Sequence, residues 1–195
     1  MNVNPNLIQL QKECLECRKC SIGGQIINNH PSNVFSNMNP TPIMVIGQNP
    51  GKEETEQHEP FVGVSGKNFN QIMEKTIGLK RNKFYISNCI RCYTPSNRQP
   101  TPEELENCQT FLIREMQIVK PVIIITLGAH ALKQLTGLKE IMKHHGQTVF
   151  SNKFQQNVFP MIHPSPINLN NPRKMKIFVE DAIKFKITFD KLIGL

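Results

Sequence analysis

The sequence contains no tryptophan and only two tyrosines among its 195 residues. It also lacks any apolar run near the roughly 20 residues that a membrane-spanning helix needs, so no membrane span is expected. Its N-terminus has no basic stretch followed by a continuous apolar segment, and so it does not resemble a secretory signal. We therefore expect one domain over residues 1–195, a monomer of the cytoplasm or nucleoid that is not secreted.

Acidic residues are also scarce. The 15 Asp and Glu residues are outnumbered by 23 Lys and Arg, which gives a formal net charge of +8. A basic domain of this size suits a polyanion, although many basic proteins bind none. Without tryptophan, any surface on which bases stack must come from the 11 phenylalanines, the two tyrosines or histidine. The composition favours a nucleic-acid partner but does not decide it.

All of the cysteines fall in the first 108 residues. They are Cys14, Cys17, Cys20, Cys89, Cys92 and Cys108. In a reducing compartment disulfides are not expected, and the repeated Cys-x-x-Cys spacing favours metal ligation over simple burial of small apolar side chains. An iron–sulfur cluster and zinc both use such thiolates, and the spacing alone does not separate them.

Short apolar runs alternate with segments of helical periodicity along the chain. Buried strands are predicted at residues 42–47, 83–88, 121–126 and 158–162, with loops at 21–42 and 52–60. Helices are predicted within 7–20, at 66–77, from Pro102 to Met116 with Thr101 as its cap, at 129–135 and at 178–192. This alternation predicts an α/β fold of three layers, α/β/α, with a central four-stranded parallel sheet.

Each predicted strand is followed by a polar residue or a glycine. Gln48 and Asn49 follow the first strand, Asn88 the second, Gly128 the third and His163 the fourth. Ligands of open α/β sheets bind beyond the carboxyl ends of the strands, so the polar groups are expected to converge there, with Gly128 leaving room beside them. Any one of these residues alone would be typical of a turn, but the set predicts a site.

The same residues stand in the order of a known family. The motifs are Gly47-Gln48-Asn49-Pro50-Gly51, Pro60-Phe61-Val62-Gly63, Tyr85-Ile86-Ser87-Asn88, Cys92 with Asn97-Arg98, Cys108, Leu127-Gly128 and His163-Pro164-Ser165. Over about residues 14–172 this order resembles the uracil-DNA glycosylase superfamily, and most of all its iron–sulfur branch, family 4. The fold of that family, a four-stranded parallel sheet between helices, agrees with the predicted elements.

The resemblance implies a 4Fe-4S cluster. The ligands carried over from the family are Cys14, Cys17, Cys92 and Cys108. We expect the cluster to be structural and to fix the loop at residues 95–102 near DNA. Cys20 and Cys89 lie outside the ligand positions of the family. However, each forms a Cys-x-x-Cys pair, with Cys17 and Cys92 respectively, so a different set of four ligands stays open. Zinc is the alternative cofactor.

The resemblance also implies a pocket for a base that has been flipped out of the DNA stack. Phe61 would stack on this base, and the Asn88 amide would pair with N3–H and O4 of uracil, a pattern that cytosine does not present. His163 would stabilise the negative charge that grows on O2 as the glycosidic bond breaks. Taken singly, Phe61 could be a core residue, Asn88 could cap a turn, and His163 could hydrogen-bond a backbone carbonyl. The order of the motifs favours the base pocket.

The first motif departs from family 4, which usually has Glu and a small apolar residue where this chain has Gln48 and Asn49. Gln48 matches the ordinary uracil enzymes, and Asn49 matches the mismatch-specific and single-strand-selective branches. We expect Gln48 to line the base pocket and Asn49 to orient the attacking water. The reaction should be modest in rate, because the Asn49 amide cannot take up a proton from that water. Gly51 replaces a tyrosine that blocks the thymine methyl in the ordinary enzymes, so 5-substituted pyrimidines are also candidate substrates.

By the same resemblance, the loop after His163 enters the minor groove of DNA. Either Ile167 or Leu169 would be the apolar wedge, and Ser165 belongs to the same DNA-contacting motif. The candidate phosphate contacts are Arg98, Arg173 and Lys174, for which an ordinary solvated face is the alternative.

The predicted function is therefore that of a monofunctional DNA glycosylase that removes uracil, or a modified pyrimidine, by hydrolysis of the N-glycosidic bond. No lysine stands at a motif position that could form a Schiff base, so strand cleavage is not expected. The alternative is a catalytically weak module that binds nucleic acid or protein and keeps the fold and the cluster. The altered first motif is the feature that favours this alternative.

Overall fold

The computed structural model describes residues 4–24, 26–27, 30–31 and 40–195. In chain order the elements are α1 (Pro5–Leu15), β1 (Ile26–Ile27), β2 (His30–Pro31), β3 (Ile43–Gly47), α2 (Lys52–Gln57), α3 (Val64–Ile77), β4 (Phe84–Asn88), α4 (Pro102–Val119), β5 (Ile123–Leu127), α5 (Ala129–Thr136), α6 (Ile141–His144), β6 (Val149–Ser151), β7 (Gln156–Met161), α7 (Pro166–Leu169) and α8 (Pro172–Ile193). Of the helices in these ranges, none is long and apolar enough to cross a membrane.

The central sheet has five strands in the order β4-β3-β5-β7-β6. The four predicted strands are present and parallel, which confirms the α/β class. The fifth strand, β6, was not predicted and runs antiparallel to β7 at the edge. Its three residues, Val149–Ser151, are too few to show a strand pattern, and only their pairing with β7 makes them a strand. β1 and β2 form a separate antiparallel pair.

Helices cover both faces of the sheet because neighbouring strand residues point in opposite directions. In β3, Ile43 and Val45 enter a core formed with α3 and α8, while Met44 and Ile46 enter a second core formed with α1, α4 and α5. All four side chains are at most 1% exposed. Strands buried on both faces explain the unbroken apolar runs of the sequence and confirm the three layers.

Helix ends follow local capping. Thr101 caps α4 as predicted: its hydroxyl accepts a hydrogen bond from the Glu104 N–H (3.2 Å), and the Glu104 carboxylate accepts one from the Thr101 N–H (2.8 Å). α8 begins at Pro172, earlier than the predicted residue 178, because the Asn171 side chain accepts from the N–H groups of the first turn.

The prediction of a loop at residues 52–60 is wrong for its first part, since Lys52–Gln57 form α2. All six residues of this helix are polar, and only Thr55 is buried. The sequence therefore shows no apolar periodicity from which a helix could be predicted. The helix is instead held at its start, where the Glu54 carboxylate accepts from the Gly51 N–H (3.1 Å) and the Thr55 hydroxyl donates to the Gly51 carbonyl (3.0 Å). A polar helix as short as α2 therefore depends on these hydrogen bonds at its start instead of on a buried apolar face.

Candidate active site

The carboxyl ends of the parallel strands bring the predicted polar residues to one edge of the sheet. Gly47 at the end of β3 lies opposite Asn88 at the end of β4. On the other side, the Gly128 N–H donates to the Met161 carbonyl (2.9 Å), two residues before His163. Three strand spacings, about 14 Å in all, separate the backbones of β4 and β7. Asn88 and His163 therefore lie at the same edge of the sheet, with the ends of β3 and β5 between them.

Asn88 and Phe61 both lie against Gly47. A Cβ atom at position 47 would be 2.5 Å from Asn88 Oδ1 and 3.0 Å from Phe61 Cζ. Any side chain larger than hydrogen would therefore displace either the amide or the ring. The exposed fraction is 4% for Asn88 and 9% for Phe61, so both are almost buried at the end of the sheet. The structure brings together these two residues, which lie in different motifs of the sequence.

Phe61 has a left-handed backbone, with φ at +59°. This conformation is rare for a bulky residue and costs free energy of order 1–3 kcal/mol. Arg81 holds the loop in place, since its guanidinium donates to the carbonyls of Pro60 and Phe61 and pairs with the Glu59 carboxylate (2.8 Å). The ring also packs edge-on against Phe69, with 6.2 Å between the centroids. Sequence reasoning gave Arg81 no role.

His163 follows β7 and packs against Gly128, whose φ of +89° suits glycine alone. A Cβ atom at Gly128 would lie 3.2 Å from His163 Cβ. Burial lowers the pKa of His163, and the neighbouring His130 lowers it further. The imidazole is therefore neutral at neutral pH and carries one N–H that can donate a hydrogen bond.

The backbone after His163 is held by two asparagine amides. Asn168 Nδ2 donates to the His163 carbonyl (2.8 Å), and Asn68 Nδ2 donates from α3 to the Pro164 carbonyl (3.1 Å). These hydrogen bonds fix the position of the imidazole relative to the sheet.

The Asn49 side chain belongs to a hydrogen-bond network that joins two loops of the edge. Its Nδ2 donates to the Pro50 carbonyl (2.9 Å), to Thr94 Oγ1 (3.2 Å) and to Asn97 Oδ1 (2.8 Å). Its Oδ1 accepts from Gln48 Nε2 (2.8 Å). Sequence reasoning did not find the roles of Thr94 and Asn97, because only the folded chain brings residues 45 and 48 positions apart into contact.

The space beside Gly51 is not open. Glu54 Oε2 accepts from the Gly51 N–H (3.1 Å) and Oε1 from the Gly63 N–H (2.8 Å). A Cβ atom at Gly51 would lie 2.6 Å from Glu54 Oε2. This corrects the expectation that Gly51 simply leaves room: a carboxylate occupies the direction in which a side chain at 51 would extend. Glu54 also ties this loop to the one that carries Phe61.

The cysteines gather where three segments meet: the end of α1, the loop after β4, and α4. Cys92 and Cys108 share a small buried cluster with Ile22 and Ile90, and Cys20 packs against it. Cys14 and Cys89 are buried in the neighbouring core, against which Cys17 packs. Cys14 lies near Cys92 and Cys108, and Cys108 lies near Cys17 and Cys20. The arrangement does not single out Cys17 over Cys20.

Burial raises the pKa of Cys14 and Cys108, and it raises the pKa of Cys89 to about 12. Such thiols are protonated at neutral pH and become ligands only when a metal displaces the proton. Within the described ranges, no three Cys, His, Asp or Glu side chains already form a metal-binding group. Soft thiols converging from three segments nevertheless fit the donor set of an iron–sulfur cluster or of zinc.

A buried ion pair connects the cysteines to Asn88. Arg91 and Glu115 are 1% and 0% exposed and pair through Nη2 and Oε2. Arg91 Nη1 also donates to the Asn88 carbonyl (2.6 Å) and to the Ser87 hydroxyl, while the Tyr85 hydroxyl donates to Glu115 Oε1 (2.8 Å). The Arg91 backbone N–H donates to Cys108. Sequence reasoning missed this network, which forms only when α4 packs on β4.

Two apolar residues were offered as the wedge, and the structure separates them. Ile167 is 87% exposed on the short helix α7, whereas Leu169 is 7% exposed and packs in the core with α8. This difference in exposure favours Ile167 over Leu169 as the wedge, and contact of either residue with DNA stays a prediction. Ser165 precedes α7, and its side chain makes no capping hydrogen bond there.

The three basic candidates also differ. Arg98 forms a two-point ion pair with Glu104 (2.8 and 2.6 Å), the residue that caps α4. Arg98 is thus part of the framework, but its side chain is still 39% exposed, and its contact with a phosphate stays a prediction. Lys174 Nζ donates to Asn168 Oδ1 (2.9 Å), and Arg173 is exposed in the first turn of α8. Of the three, Arg173 and Lys174 lie in the helix that follows α7 and its exposed Ile167.

Comparison with known proteins points to one family. A profile described as the uracil DNA glycosylase superfamily matches residues 35–185. The type-4 uracil-DNA glycosylase of Sulfurisphaera tokodaii is 32% identical over 93% of this chain and 84% of that protein. The same-named protein of Saccharolobus solfataricus is 34% identical over 93% and 85%, and that of Thermotoga maritima is 35% identical over 75% and 77%.

Proposed function

Since the chain belongs to the uracil-DNA glycosylase superfamily, we propose that it excises uracil from DNA and leaves an abasic site. The reaction is hydrolysis: the bond to the base breaks, the base leaves with the bonding electrons, and water adds to the cation-like sugar carbon. The proton that this water loses passes to solvent or to the departed base. The observation that carries the proposal is the common edge of the sheet, where Asn49, Asn88 and His163 follow three parallel strands. We propose that these side chains surround one pocket.

Asn88 and Phe61 would bind the base. The amide of Asn88 offers one acceptor and one donor, which complement N3–H and O4 of uracil. Contact of both side chains with Gly47 supports a narrow slot, in which the ring of Phe61 stacks on the base while Asn88 reads its edge. Gln48 would line the same slot. Its amino group donates to Asn49 Oδ1, which keeps the Gln48 side chain beside the residue proposed to orient water.

His163 would stabilise the departing base. A neutral imidazole, kept so by its lowered pKa, donates its N–H to O2 as negative charge develops there. Asn49 would orient the water molecule through Oδ1. An amide cannot take the proton, so this mechanism depends on a sugar that is already cation-like when water adds, and it predicts a modest rate.

DNA would be held beside α7 and the start of α8. The exposed Ile167 would enter the minor groove, and Ser165, Arg173 and Lys174 would contact phosphates. Glu54, which accepts from the Gly51 and Gly63 N–H groups, would put a carboxylate near this slot and would disfavour an apolar substituent on the base. We further propose that the protein acts as a monomer on DNA of the cytoplasm or nucleoid.

A 4Fe-4S cluster is the cofactor that we propose. The ligands would be Cys14, Cys17, Cys92 and Cys108. When bound, it would supply no redox step but would join α1, the loop after β4, and α4. The test is the purified protein itself: about four irons per chain and a brown colour are expected. Stoichiometric zinc in a colourless protein would correct the cofactor, and Cys20→Ser against Cys17→Ser would decide which of these two is a ligand.

An abasic-site assay tests the function. Wild-type protein should release uracil from single- and double-stranded oligonucleotides, and Asn49→Ala and His163→Ala should each slow the reaction at least about a hundredfold. Asn152→Ala is the matched control, because Asn152 lies in the β6–β7 turn at the opposite end of the sheet. If wild-type protein binds DNA but releases no base from deoxyuridine or 5-substituted substrates, the chain is a binding module.

A further inference from the structure

We propose that Asn97 is a positioning residue that holds the Asn49 amide with its carbonyl oxygen toward the attacking water. This proposal rests on the proposed glycosylase function. Asn97 lies in the loop between β4 and α4, and its Oδ1 is 2.8 Å from Asn49 Nδ2. It reaches the water only through Asn49.

The hydrogen bonds of Asn49 allow one orientation of its amide. Its amino group has two hydrogens and faces three acceptors, on Asn97 (2.8 Å), Pro50 (2.9 Å) and Thr94 (3.2 Å). If the amide were rotated by half a turn, its oxygen would face the backbone carbonyl oxygen of Pro50, which is repulsive and cannot turn away, and the bond to Asn97 would be lost unless the Asn97 amide rotated as well. The amino group is therefore fully used within the protein.

The oxygen of the same amide remains available. Asn49 Oδ1 has two lone pairs and accepts one hydrogen bond, from Gln48 Nε2 (2.8 Å). The second lone pair can accept a hydrogen from water and so turn a lone pair of that water toward the sugar. Because an amide cannot act as a base, the orientation of the water is its whole contribution, and any loss of orientation should appear directly in the rate.

The backbone of Asn97 is strained in a way that serves this contact. Ser96 and Asn97 have φ values of +53° and +56°, two consecutive non-glycine residues in the left-handed region. Such a turn is costly and persists only where the surroundings hold it. Thr94 does so from one side, since its carbonyl accepts from the Asn97 N–H (2.8 Å) and its hydroxyl donates to the Arg98 carbonyl (2.6 Å). The ion pair of Arg98 with Glu104 anchors the other side.

Three single variants distinguish the loss of the Asn97 hydrogen-bond acceptor from a change in the backbone turn at Ser96 and Asn97. Asn97→Gly suits the left-handed backbone but removes the acceptor, Asn97→Asp keeps both, and Ser96→Gly relaxes the same turn while keeping Asn97. In single-turnover assays of the cluster-loaded full chain, Asn97→Gly should slow base release about tenfold. Asn97→Asp and Ser96→Gly should stay within about threefold of wild type, and the DNA dissociation constant should not change in any of them.

A double variant tests the direction of the hydrogen bond. In Asn49→Asp protein, Asn97 can rotate its amide and donate to the carboxylate. Adding Asn97→Asp to this background places two carboxylates in contact, so the same substitution that is harmless beside Asn49 should now be inhibitory. The loss should be relieved as the pH falls and one carboxyl group takes up a proton.

The side-chain amide of Asn49 gives a readout that does not depend on activity. Its hydrogen exchange, measured by NMR, should be slow in wild-type and Asn97→Asp protein and fast in Asn97→Gly protein. Equal rates and equal exchange in the Asn97→Gly and Ser96→Gly variants would overturn the positioning role. If wild-type protein released no base, the glycosylase proposal would fail, and the exchange measurement would still decide whether Asn97 holds Asn49.

Discussion

Ile167 and Leu169 are two positions apart in one short helix, yet their environments are opposite. Ile167 is 87% exposed, and Leu169 packs beside Phe178 in the core. Both are apolar, so residue type alone does not tell them apart. The direction in which each side chain leaves α7 decides which one joins the core and which one stays exposed.

Substitution of the two residues should separate stability from DNA engagement. Leu169→Ala should lower the free energy of unfolding by about 2–4 kcal/mol, because it leaves a cavity. Ile167→Ala should leave unfolding unchanged but slow base release from duplex DNA more than from single strands, because the duplex must be unstacked. Urea unfolding and glycosylase assays check both results. If Ile167→Ala affected the two substrates equally, the wedge would be excluded.

The lowered pKa of His163 has a consequence for stability. The unfolded residue has a pKa of about 6.5, so as the pH falls below that value the unfolded chain takes up a proton before the folded chain does. Stability that is present above the unfolded pKa is then lost as the pH falls through the lowered folded pKa.

His163→Gln should remove this dependence. Wild-type protein should lose more unfolding free energy between pH 7.5 and pH 5 than the variant does, since glutamine does not titrate. Urea denaturation at several pH values measures the difference, and the pair formed by His145 and Asp181 (2.9 Å) contributes equally to both proteins. If the unfolding free energy of the two proteins changed equally with pH, burial would not lower the pKa of His163.

At the scale of the elements, β4 and α4 are joined by charge as well as by apolar packing. Glu115 in α4 accepts from Tyr85 and Ser87 of β4 and pairs with Arg91 in the loop beyond it. Since the pair is fully buried, the guanidinium and the carboxylate each depend on the other for compensation. The network sets the backbone of Asn88, whose carbonyl accepts from Arg91.

Removing one partner of the Arg91–Glu115 pair should lower the free energy of unfolding more than replacing both partners by apolar residues. Arg91→Met alone should destabilise the fold by about 3–5 kcal/mol, because Glu115 is left as an uncompensated buried charge. Adding Glu115→Leu should restore a large part of the stability, since two apolar residues need no compensation. Urea unfolding of the single and double variants measures the coupling. If the double variant were as unstable as the sum of the single variants, the two side chains would act independently.

At the scale of the whole molecule, the net charge of +8 should govern association with DNA. Binding that releases counterions weakens linearly in log[salt], with a slope of about −0.9 for each phosphate contacted. Arg173 and Lys174 lie together in the first turn of α8, the helix that follows α7 and its exposed Ile167.

Replacing both residues by glutamine should reduce the salt slope by about 2 if each contacts a phosphate. Fluorescence anisotropy with duplex DNA at several salt concentrations measures it. The matched control is Lys176→Gln with Lys184→Gln, which removes the same charge further along α8. An equal reduction in the control would assign the effect to net charge instead of to these contacts.

The sequence alone determined the layers and the edge that bears the site. Unbroken apolar runs such as residues 122–125 require burial on both faces, and parallel strands place Asn49, Asn88 and His163 at their carboxyl ends. These features follow from local patterns and from the rule that parallel strands end together. The strand β6 and the polar helix α2 carry no such pattern, and only their contacts produce them.

Only the tertiary structure decided how each side chain is used. Leu169 is core while Ile167 is exposed, Arg98 is held by Glu104, and Asn97 meets Asn49 across 48 positions of the chain. Each outcome depends on hydrogen bonds or packing between residues that are distant in sequence, or on the direction of one side chain. The physical reason is that periodicity in a sequence reports which face of an element is buried, whereas the partner of a polar group is set by the way those elements are stacked.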